Sequence, residues 1–315
     1  MHITFRQLQL FQALADTGSV TAAARALHVT QPTASMQLKE ISQQVGLPLY
    51  EVIGKKVHLT EVGEELADTA RSLSARWDAF EQSVSAFKGL ARGKLRIAVV
   101  STAQYFMPRL IGSFCQRHPE VDVALEILNR DGVVQRLKHH LDDLYIMSMP
   151  PTDMDLQDEV LMSNPLVLIA PQHDDWAERQ DLTLRELRTR RFILREAGSG
   201  TRMAVDRFFR SQRFRPEVRL ELGSNEAVKE AVAGGLGLGI VSRHALQVGA
   251  SERGIRVLQV PGFPLPSAWH MVHHGAQKLS PLALAFRRHL MAEVTRGRLQ
   301  KFLDQPTGAL PGRQA

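Results

Sequence analysis

Apolar residues in the first sixty positions recur at helical spacing in three short bursts. Phe5, Leu8, Phe11, Leu14 and Ala15 form one stripe, and Gly18 is placed to end it. Ser19 then caps a second run, VTAAARAL, whose alanines permit close helix packing. His28-Val29 make a turn. Thr30 caps a third run, in which Pro32 falls in the first turn, where its missing N–H costs nothing. This third helix, QPTASMQLKE, is thin in apolar residues, so the pattern predicts an exposed face. Gly46-Leu47-Pro48 breaks the period, and LYEVIGKKVHLT reads as a β-hairpin turning at Gly54-Lys55-Lys56.

From Glu61 to Lys88 the pattern changes. No glycine follows Gly63, and Leu66, Ala70, Leu73, Trp77, Phe80, Val84 and Phe87 step by fours and threes. This is a heptad seam over about three repeats. It predicts a long helix that dimerises through Leu66, Leu73, Trp77, Phe80 and Val84; burial against the chain's own body is the alternative. GLARGK, from Gly89, is a linker. Beyond it strands and helices alternate, as in α/β domains. LRIAVV, VDVALEI, LYIM, LVLIA, FILR, VRLEL, GLGIVS and WHMVHH read as strands. Phe106–Cys115, DGVVQRLKHHL, AVDRFFRSQ, EAVKEAVAGG and the run from Ser280 read as helices. The tail from Asp304 is rich in Pro and Gly and is expected to fray.

Composition narrows the class. With 315 residues and 44% hydrophobic content the chain can build two or three cored domains. No run of roughly 18 apolar residues occurs, so no membrane span is expected. The start lacks the pattern of a signal peptide, and the single cysteine, Cys115, suits a reducing cytoplasm. Cys115 reads as a packed thiol on a helix. The net charge of +6 mildly favours a polyanionic partner.

Three short helices and a basic hairpin make a winged helix-turn-helix, in which the second helix braces a third that lies in the major groove of DNA. Base edges are read by hydrogen-bonding side chains, and Gln31, Thr33, Ser35 and Gln37 are suitable readers beside Pro32. Thr30, Lys39, Lys55 and Lys56 are placed to meet phosphates. In the α/β part, LRIAVV runs into Ser101-Thr102-Ala103, hydroxyls at a strand end that suit an anion. FILREAGSGTR repeats the arrangement: Gly198 and Gly200 let backbone close on a ligand, Ser199 and Thr201 donate, and Arg202 adds charge. Asn225 is a third donor at a helix start. Each of these hydroxyls, taken singly, also reads as a plain helix cap.

Other signals lead nowhere. The glycines of GGLGLG follow a helix and precede a strand, the reverse of a dinucleotide-binding order. His139-His140 and His273-His274 point to different faces and suit no metal. Arg188, Arg190 and Arg191 read as a solvated face, with a second DNA or subunit contact as the alternative. The sequence offers no nucleophile–base pair, so the expectation is a non-enzyme with no cofactor and no metal. The rival reading is a small-anion-binding protein or enzyme on the α/β module, with the helix-turn-helix as an accessory.

The ordered set FRQLQLFQALADTGSVTAAARALHVTQPTASMQLKEI, LTEVGEEL, LREAGSGTR and LGSNEAVKEAVAGGLGLGIVS resembles the LysR-type transcriptional regulators over nearly the full length. STAQYFMPRL, LNRDGVVQRL, MPP, REAGSGTR and VPGFPLPSAWHMVHH are most similar to the regulators of carbon-dioxide-fixation (Rubisco) operons. The sulfur-metabolism regulators share the GSGTR and GSNEA signals. The resemblance implies a winged helix-turn-helix over 1–60, then a dimerisation helix and hinge over 61–92. It further implies an effector module like periplasmic binding proteins, with one α/β subdomain over 93–163 and 267–303, another over 164–266, and a tail over 304–315. The chain would cross between subdomains near Leu161–Leu166 and return near Pro264–Trp269. A small anion (carboxylate, phosphate or sulfur oxyanion) would bind in the cleft, which Met149 also borders. The implied partners are double-stranded promoter DNA, further copies of the chain in a homotetramer, and RNA polymerase. Two departures stand out. Val52 occupies a usually basic wing position, and Tyr145 with Met147–Met149 replaces small or apolar residues, which would narrow the cleft or change its ligand.

Overall fold

The computed structural model describes residues 2–54, 56–87, 93–176, 179, 181–246, 254–275 and 278–297. Lys55, linker residues 88–92 and the tail from 304 lie outside the described residues. The chain divides into two compact units: Met1–Leu90 with Lys138–Leu141, and Ala91–Leu137 with Asp142–Ala315. No described helix is long and apolar enough to cross a membrane.

In the first unit, α1 spans Phe5–Thr17, α2 Val20–Ala26 and α3 Gln31–Val45. A Thr4–Gln7 capping box starts α1, and Gly18 at φ 61° ends it. Ser19 caps α2 and Thr30 caps α3, which Gly46 ends at φ 80°. Leu10, Phe11, Leu14, Ala23, Ala24, Ala34, Leu38 and Ile41 make the common core. The hairpin of β1 (Tyr50–Ile53) and β2 (Lys56–Leu59) follows, pairing Val52 with Val57 and Ile53 with Lys56. Then α4 runs unbroken from Glu61 to Phe87. It meets Leu49 so closely at Gly63 that any Cβ there would fall on the Leu49 carbonyl.

Arg71 of α4, 8% exposed, holds Asp16 of α1 at 2.9 Å and Asp68 at 2.8 Å. Leu66 and Ala70 are likewise drawn inward: Leu66 packs on the helical core and Ala70 is fully buried. Only the later part of the heptad seam is therefore open, at Leu73, Trp77 and Phe80. Leu66, expected at the dimer seam, packs within its own unit because α1 lies alongside this stretch of α4.

Among the described residues, the second unit holds two five-stranded sheets. In the first, β4 (Val121–Leu128), β3 (Gly93–Val100), β5 (Leu144–Met147), β12 (Ala268–His274) and β6 (Leu156–Ser163) lie in that order. Helices α5 (Met107–Cys115), α6 (Arg130–Lys138) and α9 (Pro281–Thr295) belong to this half. In the second, the order is β11 (Ile255–Val257), β7 (Leu166–Pro171), β10 (Leu238–Ser242), β8 (Arg191–Arg195) and β9 (Glu217–Leu222). Its helices are α7 (Gly200–Ser211) and α8 (Asn225–Ala233).

Two chain segments join the sheets, and they hydrogen-bond to each other as they cross. Asn164 N–H donates to Ser267 O at 2.8 Å, and Leu166 and Leu265 exchange backbone bonds at 3.0 and 2.8 Å. Buried Asn164 also accepts from Ser242 Oγ at 2.6 Å. A pair of short, mutually bonded strands is stiff along its length but free to twist, which suits a hinge. Two strands escape the sequence pattern. The β6 run mixes charges with an exposed Val160 because it is an edge strand, and β11 is only three residues long. Cys115 closes α5 half-buried.

Candidate functional site

On α3 the inward face is fixed by Ala34, Leu38 and Ile41, all fully buried. Gln31, Pro32 and Lys39 are exposed, while Thr33, Ser35 and Gln37 are half-buried. Gln31 Nε2 donates to Ser35 Oγ at 3.0 Å, so two expected readers are held together before any partner arrives. Thr30 uses its hydroxyl locally, accepting from Thr33 N–H and lying 2.8 Å from Thr33 Oγ1. Lys56 is exposed at the start of β2.

The second constellation lies between the two sheets, at the ends of β3, β5 and β8. Ser101–Tyr105 winds as a 3₁₀ turn, so Ala103 turns into the hydrophobic core and presents no side chain to the cleft. Thr102, 4% exposed, accepts from Trp269 Nε1 at 2.8 Å and keeps its own proton to donate. Changing Thr102 to Val strands that buried indole N–H and is expected to cost about 1–3 kcal/mol, read as a lower denaturant midpoint.

Across the cleft, Ser199 stands at the N-cap of α7 with 2% exposure, yet its side chain makes no capping bond. The N–H groups of Gly200, Thr201 and Arg202 find no backbone or side-chain acceptor among the described residues. A buried helix start left open in this way is a ready anion site, since orphan donors and the helix dipole add together. Ser148, at the end of β5 and 5% exposed, brings its Oγ against Gly200 Cα, closer than any Cβ would tolerate. Gly198, at φ 84°, lets the loop pass Asp131: a Cβ there would stand 2.6 Å from Asp131 Oδ2. Asp131 N–H donates to Gly198 O at 3.1 Å.

Arg195 is the residue the sequence reading missed. Only 2% exposed, it holds Glu196 through two bonds of 2.8 and 3.0 Å, Asn225 Oδ1 at 3.2 Å and Gly223 O at 3.3 Å. Its fifth bond, to Ser101 Oγ at 3.3 Å, reaches the opposite sheet. A second bridge joins the halves where Tyr105 donates to Glu226 at 2.8 Å. Burial and that carboxylate hold the Tyr105 hydroxyl well above its usual range, so it stays a donor.

Arg202, by contrast, binds Asp206 at 3.1 Å, Glu221 at 2.8 Å and Arg195 O at 2.9 Å. The structure commits its guanidinium to these partners; what Arg202 offers at the α7 start is backbone N–H. Tyr145 and Met147 also depart from expectation. Both are fully buried, and Tyr145 Oη accepts from Asp142 N–H and donates to Arg136 O, so neither narrows the cleft. Met149 carries φ 54°, its carbonyl accepts from Arg130 Nε at 2.7 Å, and it lines a cavity of about 480 Å³ with Ala204, Phe208 and Leu265.

A helix-turn-helix with a wing, joined to a hinged pair of sheets that enclose an open helix start, defines a ligand-responsive DNA-binding regulator. The chain belongs to the LysR family: residues 5–64 match the bacterial regulatory helix-turn-helix protein of that family, and residues 88–295 match the LysR substrate binding domain. It is 40% identical over 289 residues to the HTH-type transcriptional activator CmpR of Synechocystis sp., covering 92% of this chain and 95% of that protein. It is also 40% identical over 296 residues to the RuBisCO operon transcriptional regulator of Allochromatium vinosum, covering 94% and 98%. Among solved structures, the Synechocystis CcmR regulatory domain in complex with 2-PG is 39% identical, with a TM-score of 0.63, over 64% of this chain and 98% of that one. These relatives bear out both the family and the carbon-fixation resemblance.

Proposed function

We propose that this regulator controls carbon-fixation genes by binding promoter DNA as a dimer through α3 and sensing a small anion between the two sheets. The observation that carries the sensing is Ser199: buried, at the cap position of α7, and making no cap bond. With Ser148 against Gly200 and three open N–H groups beside it, a phosphate or carboxylate would complete what the helix leaves unsatisfied. The CcmR domain's 2-PG and the regulon in the relatives' names support that ligand class and those genes.

The physical route to regulation follows from the bridges. Tyr105–Glu226 and Arg195–Ser101 tie the sheets together beside the cradle. A ligand that binds both halves favours the closed arrangement only by its extra affinity for that state. Two such dimers make up the expected tetramer, and closure then alters how it presents its α3 pairs to DNA.

The test is Ser199→Ala. A working cap would lose about 0.5–2 kcal/mol on that change; here the ligand-free melting temperature is expected to stay put. The rise in melting temperature on adding 2-PG should shrink in line with about 10- to 100-fold weaker binding, the worth of a hydrogen bond to a charged group. An undiminished rise would remove Ser199 from the site, and no rise in the parent protein would remove 2-PG as ligand.

A further inference from the structure

Ala34, Leu38 and Ile41 set the inner face of α3. At about 100° per residue, the side directly opposite carries Pro32, Met36 and Gln43, with Lys39 at one edge and Glu40 at the other, all exposed. Met36 sits at the middle of that face and is 57% exposed, outside the hydrophobic core of its unit. A single exposed methionine on a protein surface ordinarily means little. Its place is what distinguishes it. Ser35, bonded to Gln31, lies to one side of it, Thr33 and Gln37 lie to the other, and Lys39 follows about one turn later.

An α-helix about 10–12 Å across nearly fills a major groove about 12 Å wide. Side chains on the outermost line therefore reach deepest toward the bases, while those on the flanks meet the groove walls. The sulfur of methionine is too weak an acceptor to read base N–H groups, and it offers phosphate nothing. The major groove presents one apolar feature, the C5 methyl of thymine. We infer that Met36 is a specificity-determining residue that packs on a thymine methyl in each half-site, with hydrogen-bonding side chains on its flanks. This rests on the DNA-binding reading given above.

The test removes the methyl and nothing else. Full-length protein is titrated by fluorescence anisotropy, at fixed salt, against duplexes of its own upstream region in which thymines are replaced one at a time by deoxyuridine. At one thymine per half-site the substitution is expected to weaken binding about fourfold, the worth of a methyl taken out of water. Met36→Ala, which loses the contact in both half-sites, should bind ordinary DNA about as weakly as the parent binds a duplex with uracil at both positions, roughly sixteenfold, and should not respond to uracil there. Met36→Leu, still apolar, should keep the response. Indifference of the parent to every uracil, or an equal response in Met36→Ala, overturns the role of Met36 while leaving DNA binding intact. Failure of the parent to bind any of the duplexes sinks the DNA reading itself. A change of oligomeric state in Met36→Ala with the uracil response unchanged would make Met36 a protein contact and also overturn the inference.

Discussion

Arg195→Met is expected to destabilise the two-sheet unit and to uncouple it from its ligand. Removing one partner of a buried charge pair costs roughly 3–5 kcal/mol. The value here should fall near the lower end, because Glu196 keeps about a quarter of its side chain in water. Methionine preserves much of the bulk but strands Asn225 Oδ1 and the Gly223 carbonyl, and it frees Ser101 from the opposite sheet. Arg195→Lys keeps the charge, yet a point ammonium cannot span four partners in a plane, so it should recover only part of the loss. Denaturant unfolding reads the first effect, and the ligand-induced rise in melting temperature reads the second. A variant as stable as the parent would show that the fork is dispensable.

The reason Arg195 was illegible in the sequence is instructive. It ends the apolar strand run FILR, where an arginine reads as the residue that meets solvent, and the more obvious GSGTR motif drew attention to Arg202. Sequence spacing cannot show that Arg202 has two carboxylates within reach on Asp206 and Glu221, or that Arg195 meets the turn after a strand of the other sheet, almost a hundred residues away. Ser148 was hidden in the same way: nothing local marks it, and only the approach of Gly200 from the other sheet gives it a role.

The elements themselves were far more legible. Caps at Thr4, Ser19 and Thr30, with glycines at Gly18 and Gly46, are local chemistry, so the bounds of the helix-turn-helix followed from residues a few positions apart. Strands buried on both faces, such as β5 and β10, announce themselves as unbroken apolar runs. Strands β6 and β11 do not: β6 interrupts its apolar residues with charges, and β11 is only three residues long. The heptad seam was readable as a period, but not where it would be covered: the same stripe turns inward at Ala70 and outward from Leu73.

That open stretch sets the second large effect. Leu73, Trp77 and Phe80 are 41%, 50% and 56% exposed, and Trp77 stacks within 5.6 Å of Phe80 and 5.9 Å of Phe5. A cluster of this size on one helix is costly in water and is best covered by its twofold copy. The paired variant Trp77→Ala with Phe80→Ala removes four such side chains from a symmetric interface. Each is worth about 1.5–3 kcal/mol when fully buried, and roughly half of that remains to be gained on pairing. The dimer should therefore weaken by about 3–6 kcal/mol, or some hundred- to ten-thousandfold, and light scattering should report a monomer at micromolar concentration. Promoter affinity should fall by at least about a hundredfold, because two tethered half-site contacts become independent ones. The helix-turn-helix itself should keep its circular dichroism, since both residues lie outside its core. If the variant remained dimeric, the seam would not be the interface; if it were monomeric yet bound promoter DNA as tightly as the parent, the recognition helices would not act in pairs.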